Sequence, residues 1–301
     1  MKARILLPLL LCLLLSACAG GGEKVGAAAA PQTPELPDPA DTIVPAEAES
    51  PAITYRVEVQ KLRDEAAAED GTPLAGCEYE LPVMTPLLGD GTPLDGERAA
   101  TAAEQQALAA AETFNAEFRT WAQSADFQEL AALAADDYAW KQSEGWEWGE
   151  AYFQGLTSAI YQTERLVSVS GSFYYYGGGA HPSTVLLGWN FDLSSGAFLS
   201  PELLLDGEGQ EAVTQELIRQ AKVTAASYHM APEEFFWESY ESILSDWASY
   251  AVTLDETDMT IAYSPYDIAP YATGPQIYVL SREWLAPYLS EYGRSLLGVE
   301  S

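Results

Sequence analysis

Histidine and cysteine are nearly missing from this chain of 301 residues, which holds two of the first and three of the second. Only His181 and His229 could offer imidazole nitrogens, so a metal site built from several histidines is excluded. Cys12 and Cys18 fall in the amino-terminal leader, which leaves Cys77, in "GCEYELP", alone. One cysteine makes neither an intramolecular disulfide nor a multi-cysteine metal centre, and its expected place is a small buried position in a strand. Neither a metal nor an organic cofactor is expected. Basic residues are scarce as well: Lys and Arg number 14 against 45 Asp and Glu, a formal net charge of −31. Nucleic acid is thereby excluded, because its binding rests on Lys and Arg releasing counterions. Anionic lipid heads and wall polymers are disfavoured for the same reason. A cationic partner would be attracted and its encounter hastened, although the same acidity also serves an exported protein by keeping it soluble. Catalytic signatures are wanting too. Neither histidine lies near a G-x-S-x-G nucleophile motif, and Gly177, Gly178 and Gly179 are followed by neither the Lys nor the helix of a phosphate loop.

Long apolar runs are confined to the beginning, "MKARILLPLLLCLLLSACAG". Lys2 and Arg4 precede an apolar run over residues 5–15, too short to span a bilayer and in the charged-then-apolar order of an export signal. "LSAC", residues 15–18, resembles a lipobox, in which Cys18 is diacylated and becomes the first residue of the mature chain. Residues 1–18 are therefore expected to be a lipoprotein signal, and the protein to sit on the outer face of the bacterial cytoplasmic membrane, touching it through the lipid anchor only. Residues 19–52 are rich in Pro, Ala, Gly and acids with little to bury, so they are expected to form a disordered tether. About 250 residues remain, enough for a substantial core.

Strand alternation over 53–60, a turn at Asp70-Gly71 and a strand near 78–83 predict a hairpin with a generous loop. "DGTPLAG" at Asp70 returns as "DGTPLDG" at Asp90, a repeated turn and not a repeat architecture. Leu108, Ala111, Phe114, Phe118 and Trp121 recur at three- and four-residue spacing and predict a helix, with a second after Ser124 as N-cap. Strands follow near 152–161, 166–176, 184–193 and 197–198, the last two joined by a turn at "SSG". Ser200 and Pro201 predict a helix start. Further helices are expected at about 210–227, 232–249 and 283–297, around a strand pair turning at 255–258. Segregated strands and helices make an α+β fold of antiparallel meander sheets packed with helices, in two halves, 53–150 and 151–301.

Two motifs carry a resemblance. "GGAH" (178–181) with "NFDL" (190–193) and Gly196, and then "SPYDIAPYATGPQ" (264–276), resemble an extracytoplasmic domain family of unknown function over residues 166–289. That family forms the outer half of RsiV-type anti-sigma factors and the segment ahead of the deacetylase in PdaC-type wall enzymes; residues 53–165 resemble its companion amino-terminal domain. The extra glycine before "GGAH" and Pro182 after it depart from the commonest form. The resemblance implies a binding domain, since the ectodomains of the anti-sigma relatives bind lysozyme over its glycan cleft. With no segment ahead of the leader to hold a sigma factor, and no deacetylase domain, neither of those activities is expected here.

The residues themselves offer few catalysts. Asp192 and the group Asp255, Glu256 and Asp258 could be imagined as paired carboxyls for glycan cleavage, but the group reads as an ordinary acidic turn. "WEWGEAYF" and "FFWESY" offer aromatics that could stack on sugars or fill a core. His229 reads as a helix-end residue. His181 is either presented to a ligand by Gly178 and Gly179 or braces the hairpin by bonding backbone. In "SPYDIAPYATG", Pro265 and Pro270 fix φ while Tyr266 and Tyr271 supply rigid contact area. The expected function is a non-enzymatic binding protein for a cationic lysozyme-like muramidase, with peptidoglycan or its fragments as the other candidate. The expected contact residues are Pro265, Tyr266, Pro270, Tyr271, Gly178, Gly179 and His181.

Overall fold

A computed structural model of the chain describes residues 53–97 and 99–299, which belong to one compact unit. The expected leader with Cys18 and the whole of the expected tether, residues 19–52, lie outside the described residues. The fold is α+β, as expected. Strands β1 (Thr54–Ala67), β2 (Pro73–Leu87), β3 (Tyr152–Gln162), β4 (Leu166–Tyr176), β5 (Ser183–Asp192) and β6 (Ala197–Phe198) form one sheet in that order. β7 (Ala251–Leu254), β8 (Asp258–Tyr263) and β9 (Gln276–Ser281) form a second. Every neighbouring pair is antiparallel except β2 and β3.

That parallel pair governs the architecture. Parallel neighbours need a crossover, and helices α1 (Ala102–Ser124) and α2 (Phe127–Ser143) supply it across one face of the large sheet. Thr101 starts α1 with a reciprocal cap: its hydroxyl accepts from the Glu104 N–H, while the Glu104 carboxylate accepts from the Thr101 N–H at 2.8 Å. Phe114 and Phe118 from α1 then pack on Met84, Val167, Val169 and Phe191, all buried. The border expected near Ala151 falls in the connection between α2 and β3, and the sheet runs across it.

The small sheet lies over the other face. Leu254 N–H donates to the Ser168 hydroxyl and Asn190 Nδ2 donates to Val252 O, both at 2.8 Å, so β7 is tied to β4 and β5. Gly188 permits the approach, because a Cβ there would stand 2.5 Å from Val252 O. Behind this sheet α3 (Gly207–Ser227) buries Val213, Leu217, Ala221 and Ala225 against Val252, Ile261, Tyr263, Tyr278 and Leu280. The layers run helices, large sheet, small sheet, helices.

Several sequence expectations are corrected. The first hairpin is long and its loop tight: β1 and β2 pair from Thr54–Leu87 to Ala67–Pro73, with Gly71 at φ +85° in the turn. Alternation ended early in the sequence because β1 is an edge strand with charge on it, where Lys61 and Arg63 pair with Glu78 at 3.1 and 2.8 Å. Ser124 ends α1 rather than capping α2; its hydroxyl donates to Trp121 O, and Asp126 is the cap. Ser200 precedes a short 3-10 turn, Pro201–Leu204, and gives it no side-chain cap. The helix expected over 232–249 is broken into α4 (Pro232–Phe235), α5 (Tyr240–Ser245) and a 3-10 turn, because Phe236 is extended and Trp237 N–H donates to Ile268 O instead of continuing the helix. The apolar stripe that suggested one helix, Phe236, Tyr240, Ile243, Leu244 and Trp247, is core all the same, with Ile243 half-buried at its border. The last helix is likewise two pieces, α6 (Arg282–Leu285) and α7 (Glu291–Leu297), separated by a 3-10 turn containing Pro287.

Candidate functional site

The glycine turn and the proline loop, some 90 residues apart in sequence, meet in space. Residues 177–182 join β4 to β5, and residues 264–275 join β8 to β9. Leu186 N–H donates to the Ser264 hydroxyl at 3.0 Å and ties the second loop to the strand that leaves the first. His181 then stacks on Tyr271, with ring centroids 3.9 Å apart and planes 19° from parallel. Tyr266 joins them, 5.4 Å from Tyr271 by centroids, its hydroxyl 3.5 Å from His181 Nε2. His181 and Tyr266 are exposed and Tyr271 is half-buried, so three rings form an edge facing solvent.

Each loop is held stiffly. Gly178 takes φ +75°, and any side chain there would overlap the Tyr152 hydroxyl, which itself donates to Asp137 at 2.6 Å. Gly179 is exposed beside it. His181 also has its Nδ1 2.8 Å from Pro182 O, so it braces its own turn while its ring reaches the other loop. In the second loop Asp267 N–H donates to Ser264 O at 3.0 Å, and Asp267 Oδ2 accepts from Ser264 N–H at 2.6 Å. Burial pushes the Asp267 carboxyl above its ordinary value, against those Ser264 bonds. Pro265 and Tyr266 are the middle residues of this turn, and Tyr266 stands at φ +76°. That conformation is strained for a side chain of its size, and such strain clusters at functional sites. Trp237 Nε1 donates to Tyr266 O, Ile268 and Ala269 are buried, and Pro270 leads the 3-10 turn Tyr271–Thr273.

Other candidates fall elsewhere. His229 closes α3 at φ +60°, exposed, and takes no part in the ring cluster. Cys77 is buried in β2. Asp255 caps its turn, accepting from the Thr257 and Asp258 N–H groups at 2.8 Å. Asp192 is 2% exposed and accepts from Ser194 N–H at 2.8 Å, Ser194 Oγ at 2.6 Å and Tyr292 OH at 3.1 Å, joining β5 to α7. Burial alone would raise its carboxyl, but those bonds outweigh it and hold it below the ordinary range. A general acid needs the opposite shift. A lowered folded value means stability that is complete above the ordinary carboxylate range and lost as pH falls through the folded value. Asp192→Asn is therefore expected to be about 1–3 kcal/mol less stable at pH 7, with the gap closing below about pH 4. Urea unfolding at pH 7 and pH 3 checks this; a gap independent of pH would show that the charge contributes nothing.

A groove of about 340 Å³ runs between the two sheets, lined by Thr157, Ser170, Ser172, Thr253, Thr260 and Ile277 among others, with no charged residue in its lining. A larger concavity, about 1240 Å³ beside β1 and the start of α1, lies at the opposite end of the strands from the ring cluster. Among the described residues no group of three or more His, Cys, Asp or Glu is placed to hold a metal ion, and no helix is long and apolar enough to cross a membrane. The sequence singled out both loops, with Ser264 at the head of the second motif and Tyr152 and Trp237 inside the aromatic stretches, but not the supporting role of any of them, and nothing in it marked Asp137.

No protein-family profile and no curated protein matches the chain. Among solved structures it is similar to a DUF3298 family member from Bacteroides fragilis, at 17% identity and a TM-score of 0.54, over 82% of this chain and 97% of that one. A DUF3298 family protein from Pseudomonas aeruginosa is similar at 18% identity and a TM-score of 0.41, over 78% of this chain and 94% of that one. The first likeness shows a shared fold.

Proposed function

We propose that this chain is a lipid-anchored, non-catalytic binding protein on the outer face of the bacterial cytoplasmic membrane, whose partner is a cationic lysozyme-like muramidase. The observation that carries the reading is the convergence of the glycine turn and the proline loop, residues 264–275, into one stiff, exposed edge of His181, Tyr266 and Tyr271. Rigid aromatic loops insert into a cleft with little ordering cost. The net charge of −31 supplies attraction to a basic partner. The resemblance of both loop motifs to RsiV-type ectodomains supports lysozyme in particular, and diacylated Cys18 would supply the anchor. The test is calorimetric titration of residues 53–301 with a cationic lysozyme at low and physiological salt. Micromolar or tighter binding that weakens with salt is expected; no heat at either salt overturns the reading.

The uncharged groove between the sheets favours a second reading, capture of peptidoglycan or muropeptides, because hydroxyl-bearing side chains suit a sugar strand. Co-sedimentation with purified wall that survives high salt would favour it, since a charge-driven protein partner washes off.

A further inference from the structure

The carboxy-terminal end of α2 carries a feature that neither reading uses. Trp140 and Trp146 stand 48% and 56% exposed, with ring centroids 4.9 Å apart. Local backbone geometry places them together. Gly145 follows the helix at φ +73°, its N–H donating to Gln142 O, and Trp146 N–H reaches back to Lys141 O at 2.8 Å. This is the Schellman ending, in which the residue two beyond the cap meets the apolar residue of the last turn. Any aliphatic pair would satisfy that contact, yet two indoles occupy it and leave half their surface in water. Nearby Trp148 is different: its Nε1 donates to Pro73 O and its ring packs on Tyr138. No partner accepts from the Trp140 or Trp146 indole N–H among the described residues.

The surroundings choose the occupant. Lys141 is taken up by Asp137 at 3.3 Å and by the Trp148 ring at 4.9 Å, whereas Glu144, Glu147 and Glu150 are exposed and form no ion pair among the described residues. Two exposed indoles that meet edge to face, their planes 70° apart, form an angled notch, and with the exposed carboxylates of Glu144 and Glu147 in the adjoining turn they suit guanidinium, which stacks on one indole face while hydrogen-bonding carboxylate in its own plane. We propose that Trp140 and Trp146, with Glu144 and Glu147, dock an arginine-bearing basic segment of a partner protein. The inference rests on the partner being a basic protein, and it adds a contact separate from the ring cluster of His181, Tyr266 and Tyr271.

The experiment titrates residues 53–301 with hexa-arginine and hexa-lysine peptides at low salt, and in parallel with a cationic lysozyme. Hexa-arginine is expected to bind about tenfold tighter than hexa-lysine, and the double variant Trp140→Ala/Trp146→Ala to erase that preference. Glu144→Gln/Glu147→Gln, which leaves the indoles in place, should weaken both peptides while keeping the preference for arginine. Tyr271→Ala should leave peptide binding unchanged. Equal affinity for the two peptides, or wild-type affinity for hexa-arginine in the double tryptophan variant, overturns the proposal. Absence of lysozyme binding alongside arginine-selective peptide binding would sink the muramidase reading and leave this site standing.

Discussion

Gly188→Ala is expected to lower the midpoint of thermal unfolding by roughly 6–12 °C, the equivalent of about 3 kcal/mol in a domain of this size. The reason is positional. A methyl group at Gly188 would stand 2.5 Å from Val252 O and 2.8 Å from Val252 N, both backbone atoms of β7 that cannot swing aside like the tip of a side chain. Relief requires β7 to lift from β5. Lifting it stretches the bond from Asn190 Nδ2 to Val252 O and the bond from Leu254 N–H to Ser168 Oγ, both of which lie in the buried seam between the sheets. A lost bond in such a place leaves a desolvated polar group behind, at about 1–3 kcal/mol. Gly149→Ala serves as the control, since a Cβ there meets nothing within 4 Å. Calorimetry of the two variants decides the matter: equal midpoints would show that the sheets are not seated on one another at Gly188.

Tyr271→Ala is expected to weaken binding of a cationic lysozyme by roughly 30-fold or more, in line with an aromatic anchor near the centre of an interface. Tyr271 is the middle ring of the cluster, stacked on His181 at 3.9 Å and beside Tyr266 at 5.4 Å, so its removal undoes both the contact surface and the seam between the two loops. A companion variant separates contact from architecture. Tyr266→Gly removes a ring but also relaxes φ +76°, a conformation glycine adopts freely. Its folded state should be as stable as the wild type or more so, by up to about 1 kcal/mol, while lysozyme binding weakens. Calorimetric titration paired with thermal melts reads both quantities. A Tyr266→Gly protein that binds as tightly as wild type would assign the strained tyrosine to the turn alone.

Much of the fold was legible in residue order. The meander from β3 to β6 appeared within a residue or two, because β-branched and aromatic runs alternate with Gly and Ser turns there. The breaks in the helices were not legible. The stretch 232–249 has a sound helical stripe, and what interrupts it is a distant carbonyl, Ile268 O, that takes the Trp237 N–H. Nor could hydrophobic pattern show that β2 and β3 are parallel neighbours, joined by α1 and α2 as a crossover. Strand order depends on which edges meet across long loops, and a local pattern carries no record of that.

The candidate site divides along the same line. Residue types alone set the scarcity of His and Cys, the acidic balance, and the two loop motifs with glycines and prolines where the chain must turn, since each of these follows from composition or from one residue's own backbone preference. Only the tertiary structure put His181 on Tyr271 and Gly178 over Tyr152, and made Gly188 the seat of β7. Those are contacts between residues some 25 to 90 positions apart, decided by how two sheets pack, and packing is a property of the whole core rather than of any stretch within it.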